Sequence, residues 1–416
     1  SAEKLKYYFS LLTFPVIYWL CRELFALPLV GWLAMALYGI SPAMLKFATF
    51  VRPYSLLLLL SLLSSAIFLR SLKHSTKLGW MLYAATTAVG LYTHLLMGLV
   101  AIAHGIYLLI VEKFRLTELV KRFFLSAIAA GVIALPWLWI VWQSLPTVRE
   151  TTKWLAKPIP ALELIHWWAK NFNQGFAAWH FQYESIFFWA IAPLLALIGW
   201  AFYVLIRRTP WRTWSFILIL MGTSFLPFLL ADLLLGGKRT TAQRFFLVCY
   251  VCMDIVIAYW LASNLAATIK ERGQHQFWTF LTVLLLGVGA ISGAAGAWGE
   301  TWWGHSEFDK AIAPIVAQTS RPLVINFCDY CGFYDKVYFP LTFNPETHVL
   351  FINDANSFFL PPGFSNIFLF MFSPSSKTTY LSELEQQSID YQLAYYFIDT
   401  STQFEVALYR VNLQPN

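Results

Sequence analysis

The chain has 416 residues, of which 58% are hydrophobic, 18% aromatic and 12% charged, about half the roughly 25% charge of an ordinary soluble domain. The net charge of +7 conceals two opposite halves: residues up to 299 carry 24 Lys and Arg against 10 Asp and Glu (+14), and those from 300 onward carry 5 against 12 (−7). Runs such as LLLLLSLLSSAIFL leave no polar face for a soluble helical protein. Nucleic-acid binding finds no support either, because the basic excess belongs to membrane-adjacent loops and the soluble region is acidic.

In chain order, apolar runs fall near 7–26, 29–46, 54–72, 78–94, 95–112, 122–143, 185–206, 212–235, 243–264 and 277–299. At about 20 residues per crossing, they read as about ten spans of a polytopic α-helical membrane protein. A polar hinge from Lys46 to Tyr54 separates the second and third runs. The long loop 144–184 contains KWLAKPIPALELIHWWAKNF, where Leu162, Ile165, Trp168 and Ala169 recur at helical spacing behind a Pro-bounded start. That pattern predicts a helix lying in the membrane interface, with Trp at headgroup depth. The segment GGKRTTAQR (236–244) precedes the ninth run.

After about residue 305 the period changes. EFDKAIAPIVAQ reads as a helix, PLVINFC, THVLFIND and NIFLFMF as strands, SELEQQS as a polar helix, and YQLAYYFID and FEVALYRVN as further strands. Mixed elements within about 110 residues predict a small soluble α/β domain, dividing the chain into 1–300 and 301–416. No G-x-G-x-x-G or G-x-x-x-x-G-K-[ST] occurs, so nucleotide binding has no support.

Alternation of ten spans places 13 Lys and Arg on one side and 11 on the other. The first set is packed into shorter connections, which assigns it to the cytoplasm. The hinge at Arg52, the turn Tyr92-Thr93-His94, the loop 144–184, the segment 236–244 and the whole tail then face outward. The expected protein is a multi-pass plasma (inner) membrane protein with its C-terminal domain on the periplasmic or extracellular side. No signal peptide is visible, and SAEKLKYYF enters a span almost directly, as if a segment lay upstream. Cys21, Cys249 and Cys252 read as small apolar fillers of spans. Cys328 and Cys331 form a single C-x-x-C, open to a disulfide or a metal and specific to neither.

Arg52, Lys238, Arg239 and Arg244 on one face of a membrane make an anion site, because guanidinium groups grip phosphate oxygens bidentately and partial desolvation strengthens the grip. A lipid-linked phosphate reaches such a site from the bilayer. The blander account is that these residues are interfacial anchors or helix ends.

The run SPAMLKFATFVRPYSLLLLLSLLSSAIFLRSL resembles the segment S-P-x-x-x-x-x-x-x-x-x-R-x-Y-[SA]-L-L of bacterial GT-C glycosyltransferases, namely family 39 (protein O-mannosyltransferase-like) and its lipopolysaccharide-modifying relatives. LTFPVIYWLCRELF before it, and LYTHLLMGLVAIAHGIYLL, ALPWLWIVWQSL, WLAKPIPALELIHWW and the late R-F-F after it, are similar in order. The resemblance covers about 1–300 and does not specify the substrate. It implies transfer of a sugar, with inversion, from a polyprenyl-phosphate carrier to a glycan, lipid or protein acceptor at the outer face. Such chemistry needs a base near the acceptor hydroxyl and a cation for the departing phosphate.

In the family the base is an acid in the first outer loop, and this chain begins where the family's second span begins. The resemblance therefore implies a base upstream of Ser1 and leaves the catalytic residue unknown. Glu3, Glu150, Glu163, Glu184 and Asp232, the remaining outer-face acids, do not stand in the family's context. Arg52 and Tyr54 match the family's R-x-Y, Arg244 its late outer-face Arg, and His94 a His often found at that turn. The resemblance thus gives Arg52 and Arg244 the carrier phosphate, and Tyr54 and His94 the sugar pocket. Lys238 and Arg239 join the substrate-binding set as neighbours of Arg244.

His94 also reads as a satisfied turn residue, His180 is a weaker candidate on the long loop, and Asp254 lies deep in a span with no place in this site. The cofactor is unknown: no acids or His have ligand spacing, and a divalent ion stays open. The alternative is a transporter or flippase of an amphipathic substrate, which predicts a midplane polar site, discontinuous helices and internal repeats. No repeat is visible between the halves, and only Asp254 lies near a midplane. A catalytically inactive membrane subunit is the third reading.

Overall fold

The structure, a computed structural model, describes residues 2–49, 52–177, 189, 191–298, 307–327, 343–352, 361, 363–364, 366–371, 381–382, 385, 389–399 and 404–412. His180, Glu184, Cys328 and Cys331 lie outside the described residues. The chain divides into two compact units, Ser1–Trp298 and Gly299–Asn416.

The first unit is helical: α1 (Ala2–Leu24), α2 (Pro28–Ile40), α3 (Pro42–Thr49), α4 (Tyr54–His74), α5 (Lys77–Thr93), α6 (Met97–Val111), α7 (Glu118–Gln143), α8 (Leu145–Thr152), α9 (Ala161–Asn173), α10 (Ile191–Arg208), α11 (Trp211–Leu235), α12 (Leu247–Ala267) and α13 (Arg272–Trp298). Six helices among the described residues are long and apolar enough to cross a bilayer, or seven if α2 and α3 count as one broken span. That is fewer than the ten runs read from the sequence, for identifiable reasons. α5 and α6 have only 17 and 15 residues, and α1 interrupts its apolar run with tyrosines, Pro15, Arg22 and Glu23.

The run 29–46 is not one helix. It bends by 65° between α2 and α3, where Ser41 is extended (φ −63°, ψ 118°) ahead of Pro42. Proline lacks a backbone N–H and disfavours helical geometry in the residue before it. Other boundaries follow ordinary capping: Thr76 accepts from the Gly79 N–H to start α5, and Thr117 accepts from Val120 to start α7.

α4 and α12 are the central helices, with 78% and 89% of their apolar windows buried, against 17% for α7 and 22% for α11 and α13. α4 reconciles a central position with a serine run by bonding the hydroxyls back to its own carbonyls, Ser61 to Leu57 and Ser65 to Ser61. Ser65 also lies 3.0 Å from His104 Nε2, and the Tyr83 hydroxyl 3.1 Å from His104 Nδ1. This buried trio joins α4, α5 and α6, and Phe68 stacks on the imidazole at 4.6 Å. The peripheral helices turn apolar side chains outward: Leu125, Ile128, Val132, Trp139 and Trp142 on α7 are all more than half exposed.

The second unit holds α14 (Glu307–Ala317) and the strands β1 (Leu323–Phe327), β2 (His348–Ile352), β3 (Ile367–Met371), β4 (Asp390–Asp399) and β5 (Phe404–Asn412). They form one sheet of order β2-β1-β3-β5-β4, parallel across β1 and antiparallel through β5. Ile312 and Val316 of α14 pack with Val324, Phe368, Phe370, Val406 and Leu408 on one face. Leu323, Ile325, Leu369, Met371 and Tyr409 form the core of the other. The predicted strands thus appear in their expected places.

Candidate functional site

The hinge at the start of α4 sets the first wall. Pro53 occupies the cap position, and Tyr54 is buried, its ring edge-on to Phe47 at 5.3 Å and 6.2 Å from the His94 ring. Ser55 Oγ donates to the Phe47 carbonyl at 3.1 Å, holding α3 against the new helix. Arg52 is half-buried two residues ahead of Tyr54.

His94 ends α5. Its backbone N–H donates to the Gly90 carbonyl at 2.9 Å, and its Nδ1 accepts the Leu96 N–H at 3.1 Å. A backbone amide can only donate, so Nδ1 must be the acceptor and the neutral ring carries its proton on Nε2. Burial, and secondarily the positive charge of Arg244, hold the imidazole below the usual histidine range. His94 is therefore a neutral donor through Nε2, and it satisfies the turn with its other nitrogen.

The second wall is the segment between α11 and α12, built around Asp232 in the last turn of α11. The Asp232 side chain is 0% exposed. Its Oδ1 accepts from the Arg239 backbone N–H (2.9 Å) and Nη1 (3.0 Å), and its Oδ2 accepts from the Thr240 N–H and Oγ1, both at 2.7 Å. α9 adds further struts: Trp168 Nε1 donates to Thr240 Oγ1 at 2.8 Å, and Asn171 Nδ2 donates to the carbonyls of Thr240 and Thr241. Gly237 is required here. Its φ is +131°, and a Cβ would stand 2.8 Å from the Leu155 carbonyl. Lys238 N donates to that same carbonyl at 2.8 Å, tying the long loop onto this wall.

The three cations of the segment consequently differ. Arg239 is committed to the wall itself, through Asp232 and the Gly236 carbonyl. Lys238 and Arg244 both lie over the Trp154 ring, at 5.9 and 5.8 Å, and Arg244 also lies 5.0 Å from the Phe245 ring. Arg244 lines a pocket with Leu57, Ser61, Leu96, Leu99, Val100, Ser224, Phe245, Leu247 and Val248. One cation thus stands at a small apolar cleft between α4, α6, α11 and α12.

Tyr54, His94 and Arg244 are thus brought to one place, and Lys238 is joined to Arg244 through Trp154. Two features were not legible beforehand. Lys46, which the sequence marks only as the start of the polar hinge, donates from Nζ to Gln243 Oε1 at 2.9 Å, one residue from Arg244, and lies close enough to Lys170 for the two charges to oppose each other. Gln243 also bonds Gln174, whose carbonyl accepts from Ala43 N at 3.0 Å. Trp154 is the other, since an isolated Trp in a polar loop carries no spacing signal. α9 forms as expected and exposes Leu162 and Ile165, but Trp168 turns inward to Thr240 and packs on Phe225 at 6.5 Å. Among the described residues, no three His, Cys, Asp or Glu side chains gather to hold a metal ion. No family model matches the chain, and no curated protein matches it either.

Proposed function

We propose that this chain is a multi-pass membrane protein whose pocket at the outer end of α4 takes a sugar carried on a polyprenyl phosphate, for transfer to a glycan, lipid or protein acceptor. The membrane part of the reading is supported by six long apolar helices, four of which bury less than a third of their apolar windows. Such faces are stable against lipid and costly against water. The same reading sets the Arg244 end of α4 and the C-terminal unit on the periplasmic or extracellular side.

The observation that carries the substrate class is Arg244 beside Leu57, Leu96, Leu99, Val100, Leu247 and Val248. A phosphate would meet the guanidinium and a prenyl chain the leucine and valine surface. The His94 Nε2–H and the Tyr54 hydroxyl supply neutral polar groups for the sugar or a phosphate oxygen, and Arg52 joins Arg244 in the phosphate role. Among the described residues no acid lines the pocket, so the reading leaves the base unassigned. The test is retention of polyprenyl phosphate by the protein in lipid nanodiscs, followed by native mass spectrometry. Arg244→Ala is expected to weaken retention tenfold to a hundredfold, the equivalent of one charge-assisted bond at roughly 1.5–3 kcal/mol, with the fold intact by circular dichroism. Equal retention by the variant would sink the phosphate role.

The transporter or flippase alternative gains one specific observation, the 65° break between α2 and α3, since discontinuous helices mark many transport sites. Substrate-coupled flux in sealed vesicles, without sugar transfer, would favour it.

A further inference from the structure

Asp254 stands apart from the pocket. It lies in the second turn of α12, about 10 Å from the start of that helix at roughly 1.5 Å per residue, and it is 0% exposed. Neither carboxyl oxygen has a hydrogen-bond partner among the described residues. The sequence leaves open a polar partner on a neighbouring helix, and the described residues supply none. α12 packs against α2, α4, α10, α11 and α13, and its neighbours along the helix, Cys252, Met253, Ile255 and Val256, are as buried as the acid. The titratable groups that feel its charge are the Tyr38 phenol of α2 and the Cys252 thiol of its own helix. No charged side chain of the described residues acts on it.

An ionised carboxylate in such a place lacks both a counter-charge and donors, a cost of several kcal/mol that neutralisation removes. A metal ion would need several ligands, and among the described residues no three His, Cys, Asp or Glu side chains gather here. A proton needs no cavity and no further ligand. Intramembrane acids that face a helix bundle rather than lipid mark proton or ion paths more often than scaffolding.

We propose that Asp254 is a proton-binding site: the helical body is held with this residue as the neutral carboxylic acid, and hydration of the α2–α12 contact releases that proton. The bond concerned is the carboxyl O–H, and the acceptor is water entering the contact. Hydroxyl groups lie on the α2 side. The Tyr38 hydroxyl lies close enough to the Thr13 and Ser10 side chains of α1 to feel them; Thr13 is fully buried, whereas Ser10 is partly exposed. Hydroxyls therefore run from the vicinity of the acid toward the edge of the body. The inference is independent of what the Arg244 pocket binds.

The experiment is infrared spectroscopy of the full chain in vesicles at neutral pH, with wild type compared with Asp254→Asn. The expected result is one deuterium-sensitive C=O stretch of a protonated carboxyl in the wild type, absent from the variant. The variant, neutral and of the same shape, is also expected to unfold within a few degrees of the wild type. Absence of the band from wild type overturns the proposal. So does a band that appears only after sodium and calcium are removed, because the occupant would then be a metal cation. If Asp254→Asn does not assemble, Asp254→Glu must keep a band at a displaced frequency, and loss of the band there has the same force as its absence from wild type.

Discussion

The two ends of α4 are both basic, yet their cations are satisfied in different ways. At the C-terminal end, Lys73 and Arg70 reach a single carboxylate, Glu23, at 2.8 and 3.4 Å, and Trp19 Nε1 donates to it at 3.0 Å. At the N-terminal end, about 30 Å away at roughly 1.5 Å per residue, Arg244 and Lys238 face the Trp154 ring. A carboxylate neutralises a cation, whereas an aromatic face orients it and leaves its charge available to a ligand. Charge counting alone would rank the ends alike, and partner chemistry separates a strut from a site.

The sharpest way to break the comparison is to remove Asp232, the carboxylate that braces the N-terminal end. Asp232 accepts four hydrogen bonds, so Asp232→Ala leaves the Arg239 and Thr240 amides without their acceptor and the Arg239 guanidinium, among the described residues, with only the Gly236 carbonyl. A cost of about 3 kcal/mol is expected, the lower part of the range for breaking a buried pair, because Arg239 remains 24% exposed. The expected readout is fast hydrogen exchange at the Arg239 and Thr240 amides, together with weakened polyprenyl-phosphate retention although Arg244 is untouched. Slow exchange in the variant would mean that α9, through Trp168 and Asn171, holds the wall alone.

A smaller effect belongs to the other end. Burial, the largest single influence on Glu23, raises its carboxyl pKa, but the hydrogen bonds from Lys73 and Trp19 and the charge of Lys73 outweigh it and hold the group below the usual glutamate range. A carboxyl lowered by folding stabilises the fold above its unfolded value of about 4.3 and loses that contribution as pH falls through the folded value. Glu23→Gln should cost up to about 1 kcal/mol at neutral pH, since the Arg70 and Lys73 side chains are 58% and 50% exposed. It should also flatten the decline in unfolding temperature below about pH 4.3. An unchanged acid limb would show that other carboxylates govern it.

How far the sequence reveals such distinctions depends on the range of the physics involved. Helices and strands follow from periodicity and composition, which act over a few residues, and the elements of both units lie close to the apolar runs that announce them. The break at Ser41-Pro42 is equally local, yet an uninterrupted apolar count from Leu29 to Lys46 passes over it. The site is partly legible: Tyr54, His94 and Arg244 meet, although 40 and 150 residues separate them in turn. The division of labour within Lys238-Arg239-Arg244 is not legible, because it depends on Asp232 across a glycine turn and on Trp154 from another loop. Sequence spacing records neither the direction of a side chain nor its partner.

The smallest expected effect tests whether Arg244 truly keeps its charge available. In the folded protein the His94 imidazole titrates below the ordinary value, through burial first and the Arg244 charge second. A histidine lowered in this way is neutral in the fold, while the unfolded chain takes up a proton below about pH 6.5. Stability is therefore fully present above that pH and falls as the medium is acidified toward the folded value. Arg244→Gln removes the repulsion and leaves the burial, so the titration should move upward without reaching the ordinary value, and the acid-sensitive window should narrow. Ring-labelled histidine spectra in nanodiscs, with His94→Asn used to identify the resonance among the eight histidines, would read the shift directly. Saturating polyprenyl phosphate should move the wild-type titration in the same direction, since a bound anion cancels the charge that the substitution deletes. If the substitution shifts His94 and the lipid does not, Arg244 faces the histidine but not the phosphate, and the N-terminal end of α4 would prove as structural as the other.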